Sequence, residues 1–76
     1  MNRYIEVFGD ASGWMEDFDK FSDAYEFVKG LKKFDKKNDI EDTYHYYLCF
    51  EDLHCITKQE IKIIKRKGQY IAVLIG

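Results

Sequence analysis

The sequence predicts a small two-layer α+β domain: a mainly antiparallel sheet of about four strands with one or two helices, in the order ββαβαβ. Three observations predict it. Several short segments alternate apolar and polar residues, as strands do. One segment repeats its apolar residues at helical spacing. Glycines and polar clusters separate the segments as turns do. A chain of 76 residues suffices for one hydrophobic core, so 1–76 is read as a single domain.

Residues 3–8 read as a strand, with Ile5 and Val7 alternating against Tyr4, Glu6 and Phe8. Gly9-Asp10-Ala11-Ser12-Gly13 is a turn by composition. Residues 14–20 alternate Trp14, Glu16 and Phe18 against Met15, Asp17 and Asp19, which predicts a second strand folded back on the first. Ser22 stands as an N-cap before Ala24, Phe27, Val28 and Leu31, spaced i, i+3, i+4 and i+7; this predicts a helix over 23–34. Residues 35–42 are polar and read as a loop. Residues 43–50 are rich in strand formers, with Tyr44, Tyr46, Leu48 and Phe50 on one face and Thr43, His45, Tyr47 and Cys49 on the other. Thr57-Lys58-Gln59-Glu60 fits a capping box and Gly68 a helix stop, which predicts a helix over 58–67. The rival is a strand through Ile61-Lys62-Ile63 that turns at Lys67-Gly68. Residues 69–75 are apolar on both faces, as in a central strand or one covered by a partner chain.

Composition narrows the function classes. Nearly half the residues are apolar and aromatics are frequent, with six Phe, six Tyr and Trp14, so the chain folds rather than staying disordered. No apolar run reaches the length of a membrane span, and residues 1–7 carry no signal-peptide core, so a cytoplasmic protein without a membrane partner is expected. Cys49 and Cys55 are then free thiols. Net charge is −2, yet it is laid out in blocks. Acids dominate 1–28 and 38–56, and bases dominate 29–37 and 57–76. No general attraction for nucleic acid follows from such a balance.

Several residue sets could carry chemistry. His45, Cys49, His54 and Cys55 are the soft metal ligands of a small metal or redox protein, but their H-x3-C-x4-H-C spacing does not match the pairs that close on one zinc ion. Neither cysteine has the flanks of a nucleophile. Gly9–Gly13 follows a strand but lacks the lysine of a phosphate loop. Lys62, Lys65 and Arg66 lie at i, i+3 and i+4 of the predicted second helix and are the candidates for a nucleic-acid-binding alternative. No catalytic residue, cofactor, metal or small-molecule substrate is expected, and so no enzyme.

The most informative feature is a sheet face. If Ile5 and Val7 point to the helices, Tyr4 and Phe8 point away, and Glu6 with them. With Tyr47, and with Trp14, Glu16 and Phe18 in the matching register, they would form an aromatic patch among acids. Such patches mark interfaces. The competing reading has the helix over 58–67 covering this face, with its rings in the core. The expected function is a non-catalytic protein-interaction module that binds another protein or itself, a homodimer being the simplest form.

In size, in its Lys/Ile/Asp/Tyr-rich usage and in its lack of a catalytic motif, the chain is similar in general character to the small acidic accessory proteins of bacteriophages and mobile elements. Inhibitors of host defence nucleases such as anti-CRISPR proteins are among these. The similarity covers no motif and transfers no residue. It implies an inhibitor that sets carboxylates where phosphates would lie, with Glu16, Asp17, Asp19 and Asp23, or Asp39, Glu41 and Asp42, as candidates.

Overall fold

The structure is a computed structural model and describes residues 2–75. Its first strand, β1 (Asn2–Gly9), buries Ile5 and Val7 completely on one side, as their alternation requires. After a turn, β2 (Met15–Phe18) runs back antiparallel to β1. Helix α1 (Phe21–Lys37) then crosses the sheet, and β3 (Tyr44–Glu51) returns to the other side of β1. Two hairpins add β4 (Ile56–Arg66) and β5 (Gln69–Leu74). The result is an antiparallel five-stranded sheet in the order β2-β1-β3-β4-β5, with one helix on one face.

The element order is therefore ββαβββ, and the second helix expected over 58–67 is a strand. Ile61 and Ile63 are both buried. Residues two apart share a strand face but diverge on a helix. Ile56, Thr57, Ile61, Ile63 and Ile64 also favour the pleated backbone by their branching. Gly68 does not stop a helix. With Lys67 at φ 51° and Gly68 at φ 77°, the pair forms the two-residue turn with positive φ at both centres that matches strand twist. Residues 69–75 do not build a central strand either, since β5 is an edge of the sheet.

The helix is longer than its periodicity predicts. It starts at Phe21, with extended Lys20 rather than Ser22 in the cap position, and no side chain caps it. Arg3 stacks over the Phe21 ring at 5.5 Å, which fixes this end to β1. At the other end, Asp39 takes φ 54° and the Ile40 N–H donates to the Asp35 carbonyl at 2.8 Å, closing a Schellman motif. Asp35, expected in a loop, lies inside the helix and is buried. It accepts a hydrogen bond from the Tyr44 hydroxyl, whose pKa is raised by burial and then by this carboxylate.

The core between helix and sheet is Ile5, Val7, Ala24, Val28, Ile61 and Ile63, with Phe18, Phe21, Tyr25, Phe27, Leu48 and Tyr70 among the rings and chains packed against it. The Phe18 and Phe27 rings are 5.1 Å apart, and those of Tyr25 and Tyr70 5.4 Å. Burial pushes the Tyr46 hydroxyl up to about 12.

Candidate interaction face

Strand parity decides which residues share the face opposite α1. Ile5 and Val7 face the helix, so Tyr4, Glu6 and Phe8 face away. The register carries this outward. Phe8 pairs with Met15 and Glu6 with Asp17 on β2; Tyr4, Glu6 and Phe8 pair with Cys49, Tyr47 and His45 on β3. Lys58 and Glu60 pair with Cys49 and Tyr47, and Lys62 and Ile64 pair with Val73 and Ile71 on β5. Among the described residues no helix or strand lies over this face.

Three of the six expected residues, Tyr4, Phe8 and Tyr47, stand together on it. Trp14, Glu16 and Phe18 do not. Phe18 pairs with Ile5 and Glu16 with Val7, so these three lie on the helix side, where Trp14 and Phe18 lean on Phe27 with centroids 6.2 and 5.1 Å away. Met15 and Asp17 take the places expected for them. The register is set by the turn, and the turn is held from far along the chain. Asp42 accepts from the Ala11 N–H (2.7 Å), the Ser12 hydroxyl (2.7 Å), the Ser12 N–H (3.3 Å) and the Thr43 N–H (2.8 Å). Chief among these, the Ala11 N–H and the Ser12 hydroxyl hold its carboxyl below the usual range. Gly9 is confined here: a Cβ would sit 2.6 Å from Ser12 Oγ and 3.0 Å from Asp42 Oδ2.

At the centre of the face is a charge. Glu6 is only 6% exposed although no element among the described residues covers it. The Lys58 ammonium reaches across from β4 and donates to both its oxygens, at 3.0 and 3.2 Å. Tyr4, Phe8 and Tyr47, all half-buried, flank the carboxylate along β1 and across to β3. Partial desolvation, followed by Cys49, Glu51, Asp17 and Glu6, raises the Tyr4 pKa. Beside it, burial and then Glu6 push the Cys49 thiol up, which keeps it protonated and unreactive.

His45 sits at the rim. Its Nδ1 is 2.9 Å from Glu60 and its Nε2 2.9 Å from Asp10, so a protonated ring donates to both. Asp10 first and Glu60 second raise its pKa. With both nitrogens engaged, His45 acts as a strut between the β1–β2 turn and β4, and no ring nitrogen is free to take a proton from a substrate.

The other candidate sets come apart. His45 and Cys49 share the face but lie four residues apart, roughly 13 Å along the strand. His54 and Cys55 sit in the β3–β4 turn, where their N–H groups donate to Asp52 at 2.9 and 3.0 Å. Among the described residues no three side chains of His, Cys, Asp or Glu converge as metal ligands. Lys62 and Arg66 lie on the uncovered face, but Lys65 points to the helix side and rests over the Tyr70 ring at 5.3 Å. The helical cluster expected of these three does not exist. Lys58 and Glu60 escaped the sequence reading because a helix was expected there; the alternation of Ile61 and Ile63 against Lys62 was the signal for them. Among the described residues no helix is long and apolar enough to cross a membrane.

No protein-family model, curated protein or solved structure matches this chain.

Proposed function

We propose that the chain is a non-catalytic protein-interaction module whose contact surface is the uncovered sheet face centred on Glu6. The observation that carries this is the Glu6–Lys58 pair, a buried carboxylate held by a half-exposed lysine and ringed by Tyr4, Phe8 and Tyr47 on a face that no element covers among the described residues. Such a centre, with aromatic anchors around a fixed polar pair and charges at the rim, is how interface hot spots are built. The anchors are held by a rigid sheet, so little side-chain freedom is lost on binding.

The charge pattern next to it suits a partner that normally holds nucleic acid. Asp17 and Asp19 are exposed at the β2 edge beside the aromatic centre, and Glu16 is exposed on the helix side of the same strand. Carboxylates there would meet a basic groove in place of phosphates, as in an inhibitor of a host defence nuclease encoded by a phage or mobile element. The second acidic group is less free for this role, because Asp42 is engaged in holding the β1–β2 turn.

The test is capture of a partner from host lysate by the wild-type chain and by Tyr47→Ala and Tyr4→Ala. The expected loss is about 2 kcal/mol, or roughly thirtyfold in affinity, per anchor. The thermal midpoint should stay close to that of wild type. Equal capture by well-folded variants removes the proposal.

A further inference from the structure

We propose that β5 pairs with the β5 of a second copy, antiparallel and centred on Ala72, so that two sheets join edge to edge. This goes beyond the face described above and uses a different surface.

The backbone defines the site. The Ile75 N–H donates to the Glu60 carbonyl at 3.1 Å. Hydrogen-bonded pairs alternate along an antiparallel ladder, so Val73, Ile71 and Gln69 also turn their backbone groups toward β4. The N–H and C=O groups of Tyr70, Ala72 and Leu74 therefore point to the free edge. One register satisfies all of them: Ala72 opposite the partner's Ala72, and Tyr70 opposite the partner's Leu74. That register makes two hydrogen bonds at the axis and two on either side.

The side chains agree with it. Residues 69–75 carry no charge. Leu74 is 67% exposed, Val73 44% and Ile71 38%. In the proposed register Ile71 meets the partner's Val73 on one face, and Tyr70 meets the partner's Leu74 on the other. The small Ala72 lies on the two-fold axis. The opposite edge explains why the pairing closes. β2 has only four residues, two of them Glu16 and Asp17. Docking β2 of one copy on β5 of another would set one of these acids among Ile71 and Val73 on one face and the other among Tyr70, Ala72 and Leu74 on the opposite face. Head-to-tail growth into a filament is thus disfavoured and an isologous pair favoured.

The experiment is light scattering on the full chain up to about 1 mM, high enough to catch a dissociation constant of that size. The expected mass is twice the 9.1 kDa of one chain. Ala72→Pro deletes an edge-facing N–H and leaves the β4–β5 ladder whole. Leu74→Lys sets a charge beside the partner's Tyr70. Each should weaken association more than tenfold while circular dichroism keeps the sheet signal. Should Ala72→Pro unfold, Leu74→Lys decides alone, since its side chain is more exposed than those of Ile71 and Val73. Tyr47→Ala should leave the dimer intact, which separates this proposal from the interaction face. A wild-type chain of single mass at every concentration overturns it, as does a folded Leu74→Lys that still dimerises. A monomer that accepts a foreign strand at this edge overturns it too.

Discussion

The two edges of this sheet are opposites. β2 is four residues long and acidic, and the turn beside it is locked by polar groups from Asp42. β5 is six residues long and uncharged, with its apolar side chains open to solvent. A short charged edge repels another strand, and a long apolar one invites it. The contrast shows one molecule carrying a guarded edge and an unguarded one, with the uncovered sheet face spread between them.

The largest way to break the contrast is at the guarded end. Gly9→Ala pushes a methyl into Ser12 and Asp42 and should cost about 1–3 kcal/mol in urea unfolding. The β1–β2 hairpin should lose hydrogen-exchange protection before β4 and β5 do. Next is the centre of the face. Lys58→Met leaves the Glu6 carboxylate desolvated without a partner and should destabilise by about 1–2 kcal/mol. The double variant with Glu6→Met should recover most of that, because no stranded charge is left.

The pH dependence of the guarded end is sharper in sign than in size. The His45 pKa is raised in the folded chain by Asp10 and Glu60. Its stabilisation is fully present below the unfolded histidine value of about 6.5 and is lost as pH rises through the folded value. Denaturant midpoints measured across this window should fall with rising pH in the wild type and stay nearly flat in His45→Gln. The smallest effect belongs to neither edge. A Cβ at Gly30 of α1 meets nothing within 4 Å beyond its chain neighbours and the adjacent helix backbone, so Gly30→Ala should stabilise by about 0.5–1 kcal/mol and set the scale for the others.

Much of this architecture is written locally. The alternation about Ile5 and Val7, the helical spacing of Ala24 and Val28 and the two-faced run from Tyr44 to Phe50 each encode their element without help from elsewhere. What was not legible depends on distant partners or on ambiguous letters. Thr57 and Glu60 have the spacing of a helix cap, yet the branched residues from Ile56 to Ile64 and the Lys67-Gly68 turn outweigh it. The β2 register is fixed by Asp42, some 30 positions from the turn it holds, so no local pattern could place Trp14, Glu16 and Phe18 on the helix side. Tyr4, Phe8 and Tyr47 were readable as one patch because β1 and β3 alternate cleanly. The Glu6–Lys58 pair was not, since it spans 52 positions and needs β4 to be a strand.

Of the two cysteines, Cys49 is sealed between strands and Cys55 stands exposed in the β3–β4 turn. Under native conditions a thiol reagent should therefore modify one position only. That gives a ready attachment point for a fluorophore or spin label, with the unpaired margin of the sheet left bare for whatever is to be measured there.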